Sequence, residues 1–233
     1  MVLHTSEYKE ADAMVNAINE DGFLSFSAKG AKRLLSKNAP SIQPFSLSEF
    51  VLMESASGGK TLKSGSLEEN LALDGNVASM VVDSFFQEAT LRIVQEDEAP
   101  LAYPFLLEAL QNIKAGGEPL SQGLCYFAKV LCLGGYGLDV DECAVCHGKH
   151  AIVGLSFEEG GFLCENDFPG AEGERLSPMR LKIVRFLFRC AKEDFKRANF
   201  ERNDSIFLYQ KLDEYLQLAV GTHLKSISLI KRI

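Results

Sequence analysis

Residues 14–28 read MVNAINEDGFLSFSA, and this stretch decides the class of the N-terminal fold. Asp21-Gly22 separates two short apolar segments, and an Asp-Gly pair in that setting is a strong signal for a β-hairpin. The second segment, 23–28, partly alternates apolar and polar residues, which indicates a strand with one buried face. The sequence therefore predicts a hairpin near the start of a β-sheet domain.

Short apolar runs separated by glycines continue the β pattern to about residue 74. Two further strands are predicted at 50–53 and 61–66. About five strands in this length favour a small barrel such as the OB-fold, and composition alone also allows an SH3-like barrel. Gly58-Gly59-Lys60-Thr61 is interpreted as a hairpin turn, because Glu54 stands where a phosphate-binding loop needs its first glycine.

After residue 76 the apolar residues recur at helical spacing. Helices are predicted over about 77–93, 105–113, 120–133, 178–195 and 205–219. Ser177-Pro178 is expected to begin the fourth, since the hydroxyl can cap free amides and proline fits the first helical turn. The predicted fold class is α+β, with an N-terminal OB-fold β-barrel over 1–78 followed by an α-helical domain over 79–233.

The formal net charge of −8 argues against a protein coated in basic surface for nonspecific binding of nucleic acid. The charge is uneven along the chain, however. Residues 81–170 carry 4 basic and 14 acidic side chains, whereas residues 171–233 carry 13 basic and 8 acidic ones. A local basic surface remains compatible with the sequence, because the local sign of charge governs how a partner approaches.

No apolar run approaches the roughly 18 residues that span a bilayer, and the N-terminus lacks the basic and apolar blocks of a signal peptide. We therefore expect a cytoplasmic protein. In that compartment its six cysteines are expected to be reduced thiols or metal ligands rather than a disulfide framework.

Three of the cysteines have the spacing of a zinc knuckle within residues 140–170. Cys143 and Cys146 flank a two-residue turn, and Cys164 follows after seventeen further residues, directly after the strand-like segment 161–163. Asp167 occupies the position where a second Cys-x-x-Cys pair would end. Three thiolates and one carboxylate suit zinc, and His147 or His150 could replace one of them if the loop folds back. The alternative is a decayed knuckle whose thiols pack in an apolar setting.

The sequence contains no motif typical of an enzyme. Its four histidines, at positions 4, 147, 150 and 223, form neither a His-x-Glu nor a His-Glu-x-x-His arrangement. The three other cysteines, Cys125, Cys132 and Cys190, lie within helical apolar patterns and are interpreted as small core residues. The residues therefore favour a non-enzymatic protein.

Several short stretches of the chain carry a family resemblance through their order and spacing. They are VLH (2–4) with EAD (10–12), EDG (20–22) with AKGA (28–31), QPF (43–45), and LGGYGL (133–138) leading to Cys143-x-x-Cys146 and GGFLC (160–164). In their order and spacing they resemble the bacterial RecO family of DNA repair and recombination proteins. The resemblance implies an OB-fold followed by an α-helical domain with a zinc-knuckle region. Asp167 departs from it, because many zinc-bearing members carry a fourth cysteine there.

The resemblance also implies a function. Proteins of this family bind single- and double-stranded DNA, anneal complementary single strands and mediate recombination in the RecF pathway. They bind RecR and the acidic tail of the single-stranded DNA-binding protein, and they help to load RecA. A cytoplasmic, nucleoid-associated protein that catalyses no covalent chemistry and binds no membrane is therefore expected. Zinc is the one candidate cofactor, and Asp167 in place of a fourth cysteine leaves its binding open.

Two groups of cations are the candidate DNA contacts. The first lies in one loop without an acidic residue: Lys29, Lys32, Arg33 and Lys37. The second recurs at helical spacing: Arg185, Arg189, Lys192 and Lys196. Each group can instead be an ordinary solvated surface. Phe23 and Phe26 are more typical of core residues than of residues that stack on bases. Lys129, near Tyr126 and Phe127, is the candidate for binding the acidic tail of the single-stranded DNA-binding protein.

Two other functional classes remain open from the residues alone. One is a protein-interaction adaptor whose OB-fold binds a partner protein and whose acidic middle recruits basic ligands. The other is a zinc-dependent hydrolase, which needs an open coordination position and a nearby general base.

Overall fold

A computed structural model of the chain describes residues 1–73 and 77–232. The predicted change from strands to helices falls on residues 74–76, which lie outside the described residues. In what is described, a β-sheet unit precedes a helical unit, so the α+β class is confirmed.

The N-terminal unit is a five-stranded sheet with the strand order β1-β2-β3-β5-β4. Its strands are β1 (Val2–Tyr8), β2 (Asp12–Asn19), β3 (Gly22–Ala28), β4 (Ser46–Glu54) and β5 (Lys60–Asn70). The predicted hairpin is confirmed, with Asn19 paired to Gly22 and the glycine at a positive φ of 119°. The side chains of Val15, Phe26 and Leu62 fill a small core on one face of this sheet.

The barrel is not closed, because no ladder joins β1 to β4 within the described residues. Instead, the segment that precedes β4 lies along β1. Phe45 donates its backbone amide to Val2 O at 2.7 Å, and the Thr5 hydroxyl donates to Ile42 O at 2.6 Å. These single bonds occupy the edge of β1 that a closing strand would need. An OB-fold is itself a partly open barrel, so the fold class stands.

Three helices follow the sheet: α1 (Val77–Ile93), α2 (Ala99–Lys114) and α3 (Pro119–Leu133). Every residue of α3 from Leu120 to Leu131 is buried, and α1, α2, α4 (Pro178–Arg189) and α5 (Arg202–Val220) all contact this helix. A helix that is buried around its whole circumference lies at the centre of a bundle. The sequence predicted these five helices, but not α6 (Lys225–Ile230).

The sheet and the helices share one hydrophobic core. Leu3, Ile18 and Phe45 from the sheet unit belong to the same cluster as Phe85 of α1 and Tyr209 of α5. The division into units at 1–78 and 79–233 stays a prediction, since packing joins residues from both sides of that boundary.

A second, four-stranded sheet lies between α3 and α4, with the strand order β6-β8-β7-β9. Its strands are β6 (Asp139–Cys143), β7 (Ile152–Ser156), β8 (Gly161–Cys164) and β9 (Glu174–Arg175). Only the segment 161–163 was indicated as a strand by the sequence. This sheet contains the predicted knuckle region, 140–170.

Helix α4 is shorter than predicted. Ser177 caps it as expected, accepting a hydrogen bond from the Arg180 amide at 3.2 Å. The helix ends at Arg189, because Cys190 has extended backbone with ψ at 142°, and residues 192–197 form a separate 3-10 helix. The predicted continuation of one helix to residue 195 is therefore wrong.

Glu88 of α1 holds the short helix α6 against the bundle. Its carboxylate accepts hydrogen bonds from the Lys225 amide at 2.9 Å, the Ser226 amide at 2.8 Å and the Ser226 hydroxyl at 2.7 Å. Partial burial raises the pKa of Glu88, but these hydrogen bonds outweigh it and lower the pKa below its ordinary value. The ionised carboxylate thus serves as the N-terminal cap that α6 lacks of its own.

We expect Glu88→Ala to lower the free energy of unfolding at pH 7 by about 1–3 kcal/mol, since it leaves two backbone amides without their charged acceptor. A lowered folded-state pKa stabilises the fold above the unfolded-state pKa, and this contribution is lost as the pH falls through the folded-state value. The difference between wild type and variant, measured by urea unfolding, should therefore shrink in acid. Glu69→Gln, at an exposed position of β5, is the control, and an equal effect of both changes would contradict the capping role.

Candidate nucleic-acid interface and metal centre

A groove of about 520 Å³ crosses β2 and β3 of the five-stranded sheet. It is bounded by the loop that joins β1 to β2 and by the turn that joins β4 to β5. Its rim is formed by Tyr8, Lys9, Lys29, Gly58, Gly59 and Lys60. In OB-folds, the face of strands 2 and 3 and these same two loops bind oligonucleotides.

The groove combines positive charge with an exposed aromatic ring. Tyr8 is 45% exposed, and the ammonium of Lys9 lies 5.3 Å from the centre of its ring. Asp12 also lines the groove, but its Oδ1 accepts the Gly30 amide at 2.8 Å and so holds the loop after β3 in place. A site for single-stranded nucleic acid needs two elements, cations that contact the phosphates and an aromatic ring on which a base can stack. The lysines and Tyr8 supply both here.

The structure places one of the first predicted group of cations, Lys29, in this groove. Lys29 lines it directly, while Lys32, Arg33 and Lys37 lie in the loop that follows. The Lys32 amide donates to Ala11 O at 3.0 Å, and its ammonium pairs with Glu7 at 3.0 Å. The loop is thereby fixed against the β1–β2 connection. Contact of these four residues with DNA stays a prediction.

Sequence reasoning missed Tyr8, Lys9 and Lys60. Each stands where a strand ends, so its place at the groove depends on the strand boundaries and on the sheet order. The turn at Gly58-Gly59 was recognised, and its position between the last two strands is the signal that could have pointed to Lys60.

The aromatic residues of β3 behave as core residues. Phe26 is 1% exposed, and its ring lies 4.9 Å from that of Phe50. Phe23 is half-buried and packs against the main core. The interpretation of both as core rather than base-stacking residues agrees with this packing.

The second predicted group of cations does not form one helical stripe. Arg185 and Arg189 lie on α4, but Lys192 and Lys196 lie in the 3-10 helix beyond the break at Cys190. Arg185 pairs with Asp141 of β6 at 3.0 Å, and Arg189 pairs with the same carboxylate. The helical-stripe interpretation is therefore wrong, and contact of these residues with DNA stays a prediction.

A cavity of about 360 Å³ nevertheless opens between α4 and the 3-10 helix. Phe186 and Cys190 supply apolar surface, and four cations surround it: Lys182, Arg185, Arg189 and Arg197. Asp194 is the acidic residue that also lines it, and it pairs with Arg197 at 3.1 Å. Apolar surface rimmed by cations suits an acidic ligand with an apolar end.

Lys129 is not at such a surface. The side chain is buried, and its ammonium donates to Phe188 O at 3.4 Å. The neighbouring Tyr126 and Phe127 are fully buried. The prediction that Lys129 binds an acidic tail is corrected here, because the helix turns this lysine into the bundle.

The predicted metal ligands come together at one end of the second sheet. The turn from Cys143 to Cys146 is closed by the His147 amide, which donates to Cys143 O at 2.9 Å, while Cys164 ends β8. The thiols of Cys143, Cys146 and Cys164 and a carboxylate oxygen of Asp167 all lie within 4.8 Å of one another.

These distances fit one tetrahedral ion. A Zn–S bond of about 2.3 Å implies a sulfur–sulfur edge of about 3.8 Å, and the Cys146 and Cys164 sulfurs are 3.8 Å apart. Asp167 Oδ2 lies 3.2 Å from the Cys143 sulfur and 3.0 Å from the Cys164 sulfur. His147 is not a member of the cluster, because its ring bonds Glu142 at 2.9 Å instead.

The protonation of the cluster follows from its crowding. Hydrogen bonds from the three thiols lower the pKa of Asp167, and the bond to this carboxylate raises the pKa of Cys146 to about 12. These four groups would fill the tetrahedral shell of a zinc ion, and a site without an open position would serve structure rather than catalysis.

Two family models cover most of the chain. Recombination protein O N terminal matches residues 1–70, and Recombination protein O C terminal matches residues 84–227.

The chain belongs to the RecO family.

Among curated RecO relatives, "DNA repair protein RecO" of Bacillus pumilus (strain SAFR-032) is 25% identical over 230 residues, which is 97% of this chain and 90% of the relative. The protein of the same name from Bacillus subtilis (strain 168) is 25% identical over the same shares of the two chains. The one from Bacillus cytotoxicus is 29% identical over 167 residues, 70% of this chain and 67% of the relative. The resemblance found in the sequence is thus confirmed.

Among the described residues, none of the helices is both long and apolar enough to cross a membrane.

We expect this RecO-family chain to bind one Zn²⁺ or Co²⁺ per molecule, with Co²⁺ giving the visible absorption of tetrahedral thiolate coordination. Asp167→Ala should weaken binding at least ~10-fold, because even the loss of groups that support metal ligands costs that much. Asp167→Cys should bind the metal at least as tightly as the wild type.

Cys132→Ser is the matched control, since this thiol lies outside the cluster. Metal content by mass spectrometry and titration with a competing chelator measure the outcome. A wild-type protein that retains no stoichiometric metal after purification and reloading would contradict the metal site.

Proposed function

We propose that this protein is a non-enzymatic, DNA-binding recombination mediator in DNA repair, which anneals complementary single strands and assists RecA loading. The observation that carries the proposal is the groove over β2 and β3, with three lysines and the exposed Tyr8 ring. The relatives named as DNA repair proteins support the same role.

Annealing joins two polyanions, so it needs a cationic surface that holds the strands near each other and releases them easily. Lys9, Lys29 and Lys60 stand on three separate segments around the groove, which lets one strand contact several of them along its backbone. Such contacts are independent of base sequence, as strand annealing requires.

The negative net charge does not oppose this proposal, because the excess of acidic over basic residues is largest in residues 81–170, outside the five-stranded sheet. Glu96, Asp97 and Glu98 lie in the connection between α1 and α2, and the Glu96 backbone is next to Gly22 at the hairpin turn. Lys29 lies at the opposite end of β3. A bound strand would therefore be attracted to one end of the hairpin and repelled from the other.

The proposed protein partners are RecR and the acidic tail of the single-stranded DNA-binding protein. For the tail, the cavity beside α4 replaces Lys129 as the candidate site. Phe186 and Cys190 can receive an apolar chain end, while Lys182 and Arg197 face the acidic groups. RecA is proposed to be assisted indirectly, through the DNA.

The adaptor remains the alternative function. It predicts that the five-stranded sheet binds a protein and that binding of single-stranded DNA lacks salt dependence. A titration with an oligonucleotide at low and at high salt separates the two functions.

We expect the triple variant Lys9→Glu, Lys29→Glu, Lys60→Glu to lose annealing of complementary oligonucleotides without nucleotide triphosphate. Three lost phosphate contacts should reduce the slope of log affinity against log salt by about 2 for single strands. Fluorescence anisotropy over a series of salt concentrations measures the slope.

Lys63→Glu is the matched control, because this exposed lysine of β5 does not line the groove. It should retain both annealing and the wild-type slope. A triple variant that is folded by circular dichroism and anneals like the wild type would exclude the groove as the DNA site.

For the tail site, we expect Lys182→Glu with Arg189→Glu to weaken binding of an acidic peptide with an aromatic C-terminus by more than ~10-fold, since each reversed charge lies beside the cavity. Arg202→Glu, at the start of α5, is the control. Isothermal titration calorimetry measures the affinity, and equal affinities of the two variants would exclude this cavity.

A further inference from the structure

The loop after β3 presents two adjacent leucines to solvent. Leu34 is 102% exposed and Leu35 is 93% exposed, whereas the next most exposed large apolar side chain among the described residues is at 68%. Single exposed apolar residues are ordinary on protein surfaces. Two adjacent leucines that are fully exposed raise the free energy of the protein in water, and a binding partner that covers them would lower it.

The leucines are held at the tip of a preformed turn. The Ser36 amide donates to Arg33 O at 2.9 Å, so Leu34 and Leu35 are the two central residues of a β-turn. Such positions usually carry glycine, proline, asparagine, aspartate or serine, so turn formation does not explain two leucines.

Both sides of the turn are anchored to the sheet. On the N-terminal side, the Gly30 amide donates to Asp12 Oδ1 at 2.8 Å, and the Lys32 amide donates to Ala11 O at 3.0 Å. On the C-terminal side, Asn38 Oδ1 accepts the Gly65 amide of β5 at 3.1 Å. The apolar tip is therefore a fixed projection of the sheet.

Charge indicates what covers this tip. Arg33 and Lys37 flank the leucines, and no acidic residue occurs anywhere from residue 22 to residue 48. Lys29 begins the same loop and lines the groove, so the leucine tip belongs to the loop that leaves the groove. A ligand that carries negative charge on one part and flat apolar surface on another is a nucleic acid strand.

We propose that Leu34 and Leu35 form an apolar wedge that inserts between neighbouring bases of the DNA strand bound in the groove. Leucine is among the side chains that proteins insert between base steps to unstack them. The proposal rests on the DNA-binding function proposed above. Its consequence is that stacked bases are separated and their pairing edges become accessible to a complementary strand.

The test uses a single-stranded oligonucleotide with 2-aminopurine between adenines, because the fluorescence of this base rises when it is unstacked. The wild-type protein should raise the fluorescence on binding. The double variant Leu34→Ser, Leu35→Ser should lose most of that rise and bind about tenfold more weakly, within the range for lost base contacts, with the wild-type salt slope. Leu34→Met with Leu35→Met should retain the rise.

Met80→Ser with Leu101→Ser, two exposed apolar residues on α1 and α2, is the matched control and should behave as the wild type. If the wild type binds DNA with salt dependence but does not change the fluorescence, the wedge is wrong and the proposed function stands. If the wild type does not bind DNA at low salt, both fail.

A serine variant that unstacks DNA like the wild type also overturns the wedge. If that variant has in addition lost self-association in sedimentation experiments, the leucines contact a second copy of the protein instead.

Discussion

Burial of α3 is the constraint on which the rest of the structure depends. This helix is buried around its whole circumference, and α1, α2, α4 and α5 are the neighbours that cover it. The rings of Phe85 and Tyr209, 5.0 Å apart, pack edge to face beside it, and the Tyr209 hydroxyl donates to Leu120 O at 3.1 Å. A Cβ at Gly123 would overlap that hydroxyl, so the close approach of α5 depends on this glycine. The sheet packs on the outside of this bundle through Leu3, and its groove is left open to solvent.

This arrangement separates two surfaces of opposite charge. The loop after β3 carries lysines and an arginine and no acidic residue of its own, and Asp12 and Glu7 are engaged in holding it. Glu10 and Glu54 lie beside Lys9 and Lys60 at the rim of the groove. The connection between α1 and α2 carries the acidic cluster 96–98. Since exposed charges are screened over about 8–10 Å at physiological ionic strength, the acidic cluster weakly affects a phosphate at the far end of β3. The net charge of the chain is therefore a poor guide to its partner.

The parts of the structure that depend on local sequence could be predicted, and the parts that depend on packing could not. Asp21-Gly22 fixes a hairpin by its own turn geometry, and the spacing of the cysteines identified Asp167 as the fourth ligand position. Lys129 was misplaced because helical spacing does not reveal that α3 is buried on all sides. The break at Cys190 interrupts an apolar pattern that otherwise continues, so the cationic stripe beyond it was wrong. Tyr8 was missed because its role depends on which loops meet above β2 and β3.

Asp141 connects the knuckle region to the basic surface of α4 by ion pairs. This residue lies in β6, two positions before Cys143, and its carboxylate pairs with both Arg185 and Arg189. The position of that carboxylate depends on β6. This strand pairs in parallel with β8, where Cys143 lies opposite Phe162. A cross-link through the cysteine cluster would hold β6 and β8 together at this end. The ion pairs are exposed and individually weak, but they direct two guanidinium groups toward one side of the cavity beside α4. In this RecO-family protein, Asp141 therefore links the sheet that carries the cysteine cluster to two of the cations beside that cavity, although no cluster residue lines it.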